Sequence, residues 1–217
     1  MDFTFTPLAD IPQASLPGLA SLHAATMPTL LTDLGLPFLL RYYQLAQKSP
    51  SVIAFIALHP TTEHKAPSID NDSLITAYCL GSPNPAALNA KLRQPITWFS
   101  IQMLKLAFTR PSILIQLTQS ILTASNANSL RPGQIELTYI GVALQSRGQG
   151  LGLALLQKFA ESARTAGYTS IALSVETDNP AAIGLYTKFG FTITQTFTEG
   201  RYHRHRMEYS LANRSIP

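Results

Sequence analysis

Arg147-Gly148-Gln149-Gly150-Leu151-Gly152 is the stretch whose reading decides the fold. Before it runs Ile135-Glu136-Leu137-Thr138-Tyr139-Ile140-Gly141-Val142, a strand-like segment. After it, Leu153 to Ala166 is helix-like, with Leu153, Leu156, Phe159 and Ala163 on one face and Gly167 as the stop. Glycines at every second position of the junction remove the Cβ atoms that would keep a ligand off the backbone. Amides at the start of the helix then face outward, on the positive end of the helix dipole. That is a site for a phosphate or pyrophosphate. Two nucleotide motifs are excluded. A P-loop ends in Gly-Lys-Ser/Thr, and here Gly152 is followed by Leu153. The dinucleotide fingerprint needs one more glycine, and both Leu153 and Leu155 fail it.

The chain has 217 residues, enough for one domain with a sizeable core. With 46% hydrophobic and 13% charged residues it is not a disordered chain. A net charge of +4 suits anionic ligands, but no basic run is interleaved with aromatics, so no nucleic-acid partner is expected. The single cysteine, Cys79, excludes an intrachain disulfide and a cysteine-only metal site. The N-terminus lacks a basic leader and no long apolar window occurs, so the expectation is a cytoplasmic protein without membrane spans.

In order along the chain, Phe3 to Thr6 alternates as a half-buried strand, and helices are expected over Ala14–Ala25 and Pro37–Lys48. Tyr42 and Tyr43 on the second helix read as packing residues, with substrate contact as the alternative. Ser51–Leu58 and Ser73–Leu80 form a hairpin around a polar loop, Thr61 to Asp72, flanked by His59 and His64 at a spacing that fits no metal motif. Residues 84–129 read as a helical insertion between the third and fourth strands. Pro95 starts one helix (Trp98, Phe99, Ile101, Met103, Leu104, Leu106, Phe108), and Pro111 starts a second (Leu114, Leu117, Ile121). Lid, homodimer interface and simple packing are all open for it.

Beyond the glycine loop come a strand, Ile171–Val175, then a short helix with Asp178 or Asn179 as N-cap and Pro180 at its first position. A final hairpin follows, Phe191–Thr198 and Tyr202–Leu211. Its His203-x-His205 pair reads as a solvated strand face, and no metal is expected. Arg147-x-x-Gly150-x-Gly152, after a strand ending in Ile140-Gly141-Val142, resembles the acetyl-CoA loop of the GNAT superfamily of N-acetyltransferases. Asn179-x-x-Ala182-x-x-Leu185-Tyr186, running on to Gly190-Phe191, resembles that superfamily's second signature. The resemblance implies an α/β fold with a mixed, mostly antiparallel central sheet, flanking helices and acetyl-CoA as co-substrate.

Acetyl transfer from a thioester to an amine requires holding the cofactor, deprotonating the amine and protonating the departing thiolate. For holding, the expected residues are Arg147, Gly148, Gln149, Gly150, Leu151, Gly152 and Leu153 on the pyrophosphate, with Ile140, Gly141 and Val142 along the pantetheine arm. Gly141 suggests a bulge or a close backbone approach that aims an amide at the thioester oxygen. The resemblance implies that Asn179 contacts the cofactor and that Tyr186 meets the sulfur as a general acid. Glu136 lies where histone-type members carry their base, on the face expected to hold Thr138 and Ile140. Ribosomal-protein acetyltransferases are similar too, but the position of their base is Ser174 here, which cannot serve; Glu176 ranks behind Glu136. The activity implied is N-acetylation of a primary amine whose identity stays open, with a non-catalytic CoA-binding or sensing module as the alternative.

Overall fold

The computed structural model describes residues 4–58, 75–113 and 130–212. Strands β1 (Phe5–Pro7), β2 (Ile53–Leu58), β3 (Ile75–Ser82), β4 (Gln134–Val142), β5 (Ser170–Glu176), β6 (Thr192–Glu199) and β7 (Tyr202–Ser210) form one sheet in the order β1-β2-β3-β4-β5-β7-β6. Every neighbouring pair is antiparallel except β4–β5, which is parallel. The predicted mixed sheet is therefore present, with its parallel joint at the centre.

Period-two alternation divides the sheet between two apolar layers. Phe55, Ala57, Ala77 and Cys79 point to one face, where α6 (Leu151–Thr165) and α7 (Pro180–Phe189) bring Leu155, Phe159, Tyr186 and Phe189. Ala54, Ile56, Tyr78 and Leu80 point to the other, covered by α1 (Leu16–Thr26) and α3 (Leu36–Gln47) through Leu16, Leu19, Phe38 and Tyr42. β3 is buried along its whole length because both layers close on it. Cys79 lies inside the first layer, where burial pushes its thiol up to about 12, so it is a small apolar residue and not a nucleophile.

Two short helices differ from the expectation. α2 (Leu30–Leu34) follows Pro28 directly and is capped by Thr29, whose hydroxyl accepts from the Thr32 amide. α4 (Pro85–Lys91) opens the predicted insertion, capped by Asn84, whose side chain accepts from the Ala87 amide. Pro95 caps α5 (Ile96–Thr109), which packs on α3 by edge-on contacts of Trp98 and Phe99 with Phe38, at 5.1 and 6.2 Å between ring centroids. Ile96, Ile101, Leu104 and Phe108 on the other side of α5 stay exposed. The helix expected from Pro111 is described only as far as Ile113. The polar loop with His64, together with His59, lies outside the described residues. Among the described residues no helix is long and apolar enough to cross a membrane.

The α1–α3 layer contains one buried titratable side chain with a measurable consequence. His23 is 0% exposed and shares hydrogen bonds with the Tyr43 hydroxyl (2.7 Å) and the Thr29 hydroxyl (3.3 Å). Burial lowers its pKa to about 4, so the folded protein holds it neutral where the unfolded chain would charge it. The stability from a depressed histidine pKa is complete above about pH 6.5 and is lost as pH falls towards 4, by about 3 kcal/mol at most. Urea unfolding of the protein and of His23→Gln at pH 7 and pH 4 should show a smaller acid loss in the variant. Equal losses would remove His23 as a source of acid sensitivity.

Candidate active site

β4 and β5 are paired only at Gln134↔Ser170, Ile135↔Ile171 and Glu136↔Ala172. Beyond that vertex β5 continues along β7 while β4 continues along β3, so the two strands part and leave an opening in the middle of the sheet. The glycine loop lies at the far end of β4 and Asn179 at the far end of β5, one on each side of the mouth.

Which backbone groups face the opening follows from register. Ala143 donates its amide to Thr76, so by antiparallel alternation Gly141 and Tyr139 are the β4 residues bonded to β3. The N–H and C=O groups of Ile140 and Val142 therefore point towards β5, and the Val142 carbonyl accepts from Arg147 Nε at 3.2 Å. The expectation for Gly141 is thus corrected: its amide belongs to the Tyr78 ladder. A Cβ at Gly141 would lie 2.5 Å from Tyr78 Cε1 and 2.6 Å from Thr26 Oγ1, so the close approach is to α1 and β3. The bulge lies earlier. Register shifts between Leu80↔Tyr139 and Gly81↔Leu137, which leaves Thr138 as the extra residue of β4.

The bulge also overturns the expected face of Glu136. Ile135 and Leu137 pack in the α6 layer, as do Ile140 and Val142, whereas Tyr139 packs in the α1–α3 layer. One inserted residue exchanges the faces. Glu136 accordingly keeps company with Tyr139 and Gly141, not Ile140.

The loop leaves backbone amides unpaired at a helix start. α6 begins at Leu151, two residues earlier than predicted, with Gly150 as its N-cap in the left-handed region (φ +83°). Ala154 makes the first intrahelical bond, to the Gly150 carbonyl at 3.0 Å, so the amides of Leu151, Gly152 and Leu153 have no intrahelical partner. A Cβ at Gly148 or Gly150 would meet nothing within 4 Å, which makes this an open cradle for a ligand. Gly152 differs: its Cβ would lie 3.3 Å from Leu185 Cδ2, so its small size serves the α6–α7 contact. Arg147 and Gln149 are exposed beside the cradle. Asn179 caps α7, its side-chain oxygen accepting from the Ala182 amide at 3.1 Å, which leaves its NH₂ to offer.

Tyr186, on α7, is 7% exposed and packs with its ring centroid 5.8 Å from that of Phe191. Burial raises its pKa, so the phenol keeps its proton at neutral pH. Glu136 stands at the vertex of the opening, on the opposite face of the sheet. Its carboxylate pairs with Arg206 (Nη1 to Oε2, 3.2 Å), and burial raises its pKa against the pull of that guanidinium. Arg206 also donates to the Ser174 hydroxyl at 3.1 Å. Around them stand Tyr42, whose buried hydroxyl has no partner among the described residues, and the Arg204–Glu199 pair at 2.7 Å. The tip of the β6–β7 hairpin closes this side, with Arg201 bound to Asp33 of α2 at 2.9 Å. His203 shares a hydrogen bond with Thr198, and His205 with Thr196.

The model of the acetyltransferase (GNAT) family matches residues 115–191, spanning β4, the glycine loop, β5 and α7. The solved structure of NAA60 from Arabidopsis thaliana, in complex with a bisubstrate analogue, superposes with a TM-score of 0.60 at 12% identity, over 96% of this chain and 99% of that one. Residues 115–191 are thus similar to the GNAT acetyltransferase domain, and the fold is that of the solved neighbour. A second neighbour, the putative acetyltransferase yncA from Salmonella typhimurium solved with its cofactor acetyl-CoA, gives a TM-score of 0.57 at 14% identity, over 100% and 98% of the two chains. At such identities these likenesses speak for the fold. Among curated proteins, N-acetyltransferase 8B of Rattus norvegicus is 38% identical over 61 residues, 28% of this chain and 28% of its own. The chain thus matches less than a third of that relative's length.

Sequence reading missed Arg206, Arg204, Glu199 and Tyr139 as parts of the site. The alternation of Arg204 and Arg206 along one strand was visible, but which strand they would face depends on the β5–β7 register.

Proposed function

We propose that the protein is an acetyl-CoA-dependent N-acetyltransferase that acts on a primary amine by direct attack on the thioester. The observation that carries this reading is the opening between β4 and β5, with the Ile140 N–H and C=O and the Val142 N–H turned towards it along its wall. An extended pantetheine arm, whose amides mimic a strand, fits that edge as an added strand does. The cradle at Gly148–Leu153 lies at one end of the same edge, where the amides and helix dipole favour a pyrophosphate. Bound acetyl-CoA supplies the activated acetyl group.

The chain's own groups then divide the proton work. Glu136 takes a proton from the acceptor amine as its nitrogen bonds to the acetyl carbon. Tyr186 gives a proton to the sulfur as the carbon–sulfur bond breaks. Each is placed on a different face of the sheet, which suits an amine and a cofactor entering from opposite sides. A panel of amines incubated with acetyl-CoA, read by release of free thiol, should reveal at least one acceptor. CoA binding without transfer to any amine in a broad panel would favour the non-catalytic binding module instead.

A further inference from the structure

We propose that Arg206 is a positioning residue for Glu136, reaching from β7 beneath β5 to fix the carboxylate at the vertex of the β4–β5 opening. The inference rests on the reading of Glu136 as the base. Arg206 is 3% exposed and sits opposite Ser174 in the β5–β7 register. Its Nη1 donates to Ser174 Oγ at 3.1 Å and pairs with Glu136 Oε2 at 3.2 Å, so one guanidinium ties together three strands where two of them separate. The serine that cannot act as a base is thereby the anchor of the residue that holds one.

Stability alone does not account for this arrangement. Arg206 Nη2 is buried with no partner among the described residues, and buried pairs of this kind are often matched or bettered by apolar packing. What the pair secures is the state of Glu136. Its surroundings are Arg206 and Arg204 from β7, Glu199 from β6, Tyr139 of its own strand and Tyr42 from α3. Arg204 is already engaged by Glu199 at 2.7 Å, so among the described residues Arg206 is the cation in direct contact with Glu136. Burial drives the carboxyl towards its protonated form and Arg206 opposes it. With Arg206 removed, burial is opposed by the weaker pull of Arg204 and the base is protonated up to a higher pH.

The test uses ¹³C NMR titration of the glutamate carboxyls in the full chain, with Glu136→Gln identifying the resonance. Arg206→Met should move the Glu136 midpoint upwards by about one pH unit or more, a tenfold or larger change in proton affinity, and Arg206→Lys should fall between the two. The acidic limb of kcat/KM should move by the same amount, with CoA affinity unchanged. If Arg206→Met does not fold, the Lys variant decides by the same titration. An unmoved Glu136 midpoint in a folded variant overturns the proposal. A moved midpoint, combined with full activity of Glu136→Gln, would leave the contact intact and remove the base assignment instead.

Discussion

Glu136→Gln and Tyr186→Phe are each expected to lower turnover by about 10²–10⁴-fold, the range for a positioned proton-transfer group. CoA affinity should barely change, since neither side chain belongs to the loop at Gly148–Leu153. The two variants separate by pH. Burial raises the Glu136 pKa, so the wild-type rate should climb with pH through a midpoint above the usual carboxylate range and fall away below it. Glu136→Gln loses that limb and recovers partly at high pH, where more of the amine is already neutral. Tyr186→Phe keeps the limb and gains nothing from alkali, because the missing step is protonation of the sulfur. Rates from pH 6 to 10 on both variants, with an acceptor from the amine panel, check the assignment. Full activity of Glu136→Gln at neutral pH would transfer the role to Glu176 or to water in the cleft.

Gly150→Val is expected to abolish the stabilisation that CoA confers. At about a hundred times its dissociation constant a ligand stabilises the fold by about 2.7 kcal/mol, seen as a rise in melting temperature. A branched side chain at Gly150 would project into the open cradle and occupy the space of the pyrophosphate. It would also be strained, because φ at Gly150 is +83°. Gly167→Val supplies the control. Gly167 has φ +86° and equally open surroundings, but it lies at the other end of α6. Both variants should melt lower than wild type without ligand, and only Gly150→Val should lose the shift with CoA. A retained shift in Gly150→Val, or an equal shift with ATP or NAD, would contradict the proposed loop.

What could be read in the sequence was local. The N-caps, prolines and stops that bound α6 and α7 act within a turn, so Gly167, Asn179-Pro180 and Gly190 locate helix ends without knowledge of the rest. Asn84-Pro85 obeys the same rule as Asn179-Pro180, so the start of α4 is legible by that signal. A proline such as Pro28 signals the end of a helix, and that signal hides the Thr29 cap of α2 directly behind it. The surroundings of Glu136 were not local. They depend on one inserted residue at Thr138, which reverses the strand's faces, and on the offset that sets Arg206 against Ser174. Neither leaves a mark within a few residues of Glu136. Gly141 and Gly152 show the same limit, since a glycine forced by Tyr78 or by Leu185 looks in sequence like one reserved for a ligand.

A strand edge is ordinarily an invitation to aggregate, because any extended chain can pair with it. β6, at the rim of the sheet, has that problem and meets it with a run of threonines and a glutamate. The bare edge of β4 is different, because it faces β5 across a slot and not open solvent. A neighbouring sheet would have to reach that edge past strands already paired on both sides. The parting of β4 from β5 therefore lets the protein keep a largely unladdered edge at its centre, shielded by its own sheet from the edges of its neighbours.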